Sequence, residues 1–177
     1  WWLQGGNATR NPLTRGDFPD GVTAGQGIWT TLTQADVTDG TCSADQFEGV
    51  DVSRDGTVWA VPRYAWCDEV VDAPSDRIVV FYQFDGTSWA STYDRALGVD
   101  WERMKAASDG ALWAVGELGL GRIVRTQAGD FRRSGFLPGV DVSYIEVDPR
   151  GNVWVQSRPS TDGAVYVLTP EAWAATR

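Results

Sequence analysis

Apolar and polar residues alternate in short runs along most of this chain, and the runs come in pairs split by a glycine-bearing turn. The clearest pair is Gly139–Trp154, GVDVSYIEVDPRGNVW. It has an ungapped copy 41 residues upstream, Gly98–Trp113, GVDWERMKAASDGALW. A looser copy, Ala44–Trp59, reads ADQFEGVDVSRDGTVW. A period-2 run, a turn and a second run opening on Trp describe one β-hairpin, written three times.

Taken in order, Trp1–Gln4 (WWLQ) reads as the second strand of such a hairpin. Gly5–Gly25 reads as a polar loop with an Asn7-Ala8-Thr9 sequon by pattern alone. Ile28–Thr33 is a strand by its β-branched and aromatic content. Gln34–Asp45 reads as a loop carrying Cys42. Strands follow near Phe47–Val52 and Val58–Trp66, then an acidic loop over Cys67–Ser75, then Arg77–Phe84 and Ser88–Tyr93. The cycle repeats over Trp101–Ala107, Ala111–Gly116, Arg122–Gln127 and Asp130–Arg133. It repeats again over Val142–Val147, Asn152–Ser157, Ala164–Leu168 and Glu171–Ala175. No stretch has helical periodicity.

The outermost strand of each unit closes on an aromatic: Trp29, Trp89, Phe131 and Trp173, spaced 60, 42 and 42 residues apart. Four short strands in a period of this length predict an all-β chain of antiparallel blades in a β-propeller. Four units fall at about 1–34, 44–94, 98–134 and 139–175, the first lacking its innermost strand. One blade cannot bury both of its faces and packs against its neighbours. The reading is therefore a piece of a larger propeller.

The turns carry a resemblance. Asp55-Gly56-Thr57-Val58-Trp59, Asp109-Gly110-Ala111-Leu112-Trp113 and the stretch from Asp148 to Trp154 are similar to the repeats of two-component regulator propellers and of streptogramin-lyase-like propellers. So are Phe84–Trp89 and Gly119–Arg122. The resemblance spans most of residues 44–177 and implies six to eight blades per ring. Lyase-like members use a His beside a metal. This chain has no His, so the resemblance does not carry that activity over.

Composition narrows the chemistry. The net charge of −9 argues against a nucleic-acid partner, which requires a basic face. No run of apolar residues is long enough to cross a bilayer. The absence of His removes Ser-His-Asp and Cys-His mechanisms and imidazole metal sites. The start at Trp1, with no initiator Met, basic region or apolar signal core, reads as a processed or partial chain.

Trp59, Trp113, Trp154 and Trp1 share one repeat position, and recurrence in every unit is what interblade packing demands. Trp2, Trp66 and Trp101 are left over and are the candidate ligand-binding aromatics, with Asp68 and Glu69 beside Trp66. Trp101 also fits an apolar strand position, and Trp66 also fits packing against a disulfide. Cys42 and Cys67 lie two positions out of facing register across the 55–56 turn, close enough for a disulfide. Two Cys in a His-free acidic chain fit an oxidising compartment. The acidic stretches Asp36–Asp45 and Asp68–Asp76 offer oxygens to calcium without EF-hand spacing, and solvated loop charge is the simpler account.

These features favour a non-enzymatic, extracytoplasmic module for ligand or partner recognition, or a scaffold subunit. Its partners are the remaining blades or another protein, with a sugar or peptide as a possible ligand. The alternatives are a lyase or hydrolase using carboxylates near the axis (Asp51, Asp100, Asp141, Glu146) and a lectin whose Trp residues face solvent.

Overall fold

A computed structural model of the chain describes residues 2–4, 13–17, 28–32, 34–37, 42–67, 79–94, 103–116 and 119–174. These residues form four antiparallel sheets, each a meander of sequential strands. The first comprises β1 (Trp2–Gln4), β2 (Leu13–Asp17) and β3 (Ile28–Leu32). After α1 (Gln34–Val37) comes a four-stranded sheet, β4 (Cys42–Val52), β5 (Val58–Cys67), β6 (Val79–Phe84) and β7 (Trp89–Asp94). The third is also four-stranded: β8 (Arg103–Ala106), β9 (Leu112–Gly116), β10 (Gly119–Arg125) and β11 (Phe131–Phe136). The last comprises β12 (Val142–Val147), β13 (Val153–Ser157) and β14 (Val165–Leu168), followed by α2 (Pro170–Ala174).

Neighbouring sheets meet through their first strands. β1 lies beside β4, β4 beside β8, and β8 beside β12. β12 touches β9 as well. The sheets are also laid face against face. Trp59, Val61 and Phe81 of the second pack on Leu112, Ala114 and Ile123 of the third. Trp113, Val115 and Leu120 of the third pack on Ile145, Val153 and Val155 of the fourth. Alternation in each strand supplies one apolar row to each side, so the middle sheets are buried on both faces.

Aspartates shape the hairpins. Asp55 Oδ1 accepts the Thr57 N–H at 3.0 Å, Asp85 Oδ1 those of Thr87 and Ser88 at 2.9 Å, and Asp148 Oδ1 that of Arg150 at 2.8 Å. Each side chain reinforces a turn that backbone bonds also close, such as Gly56 N–H to the Ser53 carbonyl at 3.1 Å and Gly151 N–H to the Asp148 carbonyl at 2.9 Å. Gly110 sits at φ +78°, and a Cβ there would lie 2.9 Å from Asp55 Oδ2 on the neighbouring sheet. Only Gly permits that approach.

Four expectations need correction. Residues 13–17, expected within the polar loop Gly5–Gly25, form β2 and bridge β1 to β3. Pairing on both sides outweighs the weak local pattern. Gln34–Asp45, expected as a loop, contains α1 and the start of β4. Glu171–Ala175, expected as a fourth strand, lies largely in α2, with Trp173 N–H donating to the Thr169 carbonyl at 3.1 Å. Pro170, which has no N–H for a strand ladder, opens that helix. The aromatic is delivered all the same: Trp173 packs edge-on to Trp113 at 6.1 Å, as Phe131 does to Trp59 at 6.1 Å. The fourth correction concerns Trp154.

Candidate interaction face

Trp154 was expected to be buried between sheets and is 43% exposed, whereas Trp59 and Trp113 are 0% and 1% exposed. The register explains the difference. Across its strand pair Trp59 faces Gln83, Trp113 faces Arg122 and Trp154 faces Val167. Two residues along lie Val61 and Phe81, then Val115 and Leu120, then Gln156 and Val165. These are the same four positions on the same face of three successive sheets. In the second and third sheets all of them are buried beneath the following sheet. In the fourth nothing among the described residues follows, and Val165 and Val167 are 64% and 45% exposed.

The two covered faces show what the position is built for. Trp59 Nε1 donates to the Gly110 carbonyl of the next sheet at 3.0 Å. The Arg122 guanidinium is buried 4.5 Å from the Trp173 ring centre and 5.7 Å from that of Trp113, and it pairs with Asp109 at 2.6 Å. Its Nε has no hydrogen-bond partner among the described residues.

On the open face the Trp154 indole turns back to its own hairpin and donates to Asp148 Oδ2 at 3.2 Å. The Asn152 side chain gives that carboxylate a shorter bond, 2.8 Å. Held first by Asn152, and further by Trp154 and two backbone N–H groups, Asp148 stays ionised down to a pKa of about 2. At the inner edge of the face Arg103 lies 5.0 Å above the Tyr144 ring, and Lys105 pairs with Glu146 at 3.3 Å. The face is therefore an apolar strip of Trp154, Val165 and Val167, with Tyr144 and the paired Glu146 at its inner margin and the Asp148 carboxylate against the indole.

A second concavity lies at the rim between the second and third sheets. It is an open cleft of about 390 Å³ lined by Asp55, Asp85, Asp109 and Arg125 among others. Its carboxylates are already engaged. Asp55 and Asp85 close turns, Asp109 holds Arg122, and Asp85 Oδ2 takes Arg125 at 3.1 Å. Hydrogen bonds from the Ser53 hydroxyl and the Thr57 N–H lower the Asp55 pKa against its partial burial. For Asp85 the backbone N–H groups of Ser88 and Thr87 have the same effect. Among the described residues no cluster of three His, Cys, Asp or Glu is arranged to hold a metal ion.

The other predicted site residues are not brought together by anything described. Trp2 opens β1, and Trp66 lies near the end of β5 opposite Ser43. Trp101, Asp68, Glu69 and Asp100 lie outside the described residues. Of the channel acids, Asp51 accepts the Ala106 N–H of the next sheet at 2.8 Å, and Asp141 pairs with Arg158 at 3.0 Å. Cys42 and Cys67 are backbone partners in the β4–β5 ladder. The ladder leaves the turn one position off the expected register, with Val52 opposite Val58, and a bulge between Phe47 and Gly49 supplies the second position that brings the two Cys opposite.

Sequence reasoning did not single out Tyr144, Val165 and Val167. A signal was present: Val165–Leu168 is apolar at every position, the mark of a strand covered on both sides.

No protein-family model matches the chain. No curated protein matches it either. A solved structure does resemble it: PorZ, described as an essential bacterial surface component of the type-IX secretion system of Porphyromonas gingivalis. The two are 17% identical with a TM-score of 0.54, and the match covers 97% of this chain. The chain spans 24% of that PorZ chain, about a quarter of its length. At this identity the likeness concerns the fold. Among the described residues no helix is long and apolar enough to cross a membrane.

Proposed function

We propose that this chain is a β-propeller segment that works as a non-enzymatic, extracytoplasmic scaffold or partner-recognition module. The observation that carries this is the face-to-face stack. Successive meander sheets meet through their first strands and wedge Trp59 into one covered joint and Trp113 with Trp173 into the next. Propeller blades associate in this way. Fold likeness to a secretion-system surface component supports the setting.

Several features speak for assembly over chemistry. Asp55, Asp85, Asp148, Asp162 and Glu171 have pKa values shifted downward, whereas a general acid needs a raised one. Asp51, Asp141 and Glu146 are tied to Ala106, Arg158 and Lys105. The Cys42–Cys67 register suits a disulfide, which belongs to an oxidising compartment. The partners of such a module are further blades or a protein subunit. A sugar or peptide would bind at Trp66, and at the acidic stretches solvated loop charge is a simpler account than calcium.

Fractionation of the source cells followed by native mass measurement tests the proposal. An extracytoplasmic location, in a particle heavier than the polypeptide itself, is expected. Recovery from the cytosol as a free monomer would overturn it.

A further inference from the structure

We infer that the open face of the last sheet, centred on Trp154, Val165 and Val167, is a blade joint, and that its occupant is one more sheet of this repeat carried on the same polypeptide. The inference rests on the stacked-blade reading and adds to it the identity of what covers the face.

Three observations lead there. The first is positional. Trp154, Gln156, Val165 and Val167 occupy the places that in the two preceding sheets are sealed under a following sheet. The open face thus continues an interface that the chain makes twice. A solvated outer face would alternate to polar residues there, yet three of these four are apolar.

The second is the shape of the complement. The sheet that covers Trp59 offers Leu112, Ala114 and Ile123, and the Gly110 carbonyl for the indole N–H. An aliphatic wall beside a glycine turn thus receives both the ring and its N–H. The Trp154 N–H, without such a carbonyl, is bound within its own hairpin.

The third is size and charge. Three short strands present a footprint of roughly 250 Å² from strand spacing and rise. A free-standing complex takes about 800 Å² from each partner. So small a joint holds when the covalent chain keeps the two sheets at millimolar effective concentration, and not between separate molecules. Of the charges at the face, Glu146 is already paired with Lys105, and Asp148 is tied within its own hairpin to Asn152 and the Trp154 indole.

Hydroxyl-radical footprinting with peptide mass spectrometry tests this on two samples, residues 1–177 and the complete translation product of the gene. In the 177-residue chain Trp154 should oxidise much faster than Trp59 and Trp113, at a rate independent of protein concentration. In the complete product its rate should fall to that of Trp113. Val167→Glu should lower the melting temperature of the complete product and leave that of the 177-residue chain nearly unchanged. Protection of Trp154 in the short chain that grows with concentration would mean that a second copy is the occupant, and would overturn the inference. So would an unprotected Trp154 in the complete product, or a complete product with no further repeat. If Trp59 and Trp113 react as fast as Trp154, the stacked-blade reading fails as well.

Discussion

Replacing Trp59 by Ala isolates the joint between the second and third sheets. The indole is fully buried, meets Phe131 edge-on at 6.1 Å and donates to the Gly110 carbonyl at 3.0 Å. A buried Trp removes roughly 150–250 Å² from water. At about 25 cal/mol per Å² that is roughly 4–6 kcal/mol. Large-to-small substitutions at such sites cost about 3–5 kcal/mol. The orphaned Gly110 carbonyl adds little, because Gly110 is half-buried and water can reach it. The expected cost is about 4 kcal/mol. Trp154→Ala at the equivalent position leaves no enclosed cavity; with the residue 43% exposed, it should cost a little over half as much, about 2 kcal/mol on the same area scale. For a chain of this size each kcal/mol moves the melting temperature by roughly 2–4 °C. Trp59→Ala should therefore melt some 8–16 °C lower than the parent and Trp154→Ala about 4–8 °C lower. Urea unfolding followed by far-UV circular dichroism gives both free energies, and similar slopes would license the comparison. The reasoning about stacked faces is refuted if the two variants differ by less than about 1 kcal/mol, or if Trp154→Ala is the costlier.

Three further outcomes are expected. Gly110→Ala should destabilise more than Gly129→Ala, since both have positive φ (78° and 94°) but only the former drives a Cβ to 2.9 Å from a neighbour; chemical denaturation of the pair checks this. The depressed pKa of Asp148 means its contribution is present above the unfolded carboxylate value near 4 and is lost as pH falls through about 2. Trp154 fluorescence should change over that acid window, and Asp148→Asn should abolish the change. Cys42 and Cys67, opposed in the ladder, should resist alkylation in denaturant without reductant. Their disulfide would close a loop of about 25 residues, worth at most about 3 kcal/mol, and two alkylated thiols would exclude it.

Much of the fold could be read from the chain because its signals are local. Asp-Gly turns and period-2 runs mark hairpins wherever they occur, and β12, β13 and β14 lie within a residue of their expected spans. The misses are places where a neighbour decides. β2 carries little apolar pattern and is a strand because β1 and β3 pair with it on either side. In α2, Pro170 cannot join a ladder, so the chain coils while still delivering Trp173 to Trp113. The Cys register depended on a bulge, a one-residue event invisible to counting from the turn.

Trp154 is the most informative miss, because the repeat logic was sound at two positions and failed at the third. Burial of Trp59 belongs to the pair of sheets that encloses it: its walls are Leu112, Ala114 and Ile123, more than 50 residues further along. A repeat motif therefore records an environment that only the next repeat can provide. The converse also holds. Where the motif is intact and the environment is open, the residues describe the missing wall: apolar, built on aliphatic side chains and ending in a glycine turn with a free carbonyl. An enzyme site or a lectin groove would instead spread varied polar groups over that surface. The strip of Trp154, Val165 and Val167 lacks them, and its flanking carboxylates are occupied, Asp148 in holding the indole N–H and Glu146 in pairing with Lys105. Function here is a matter of what the stack joins, and the joint is written in the same four positions that hold the stack together.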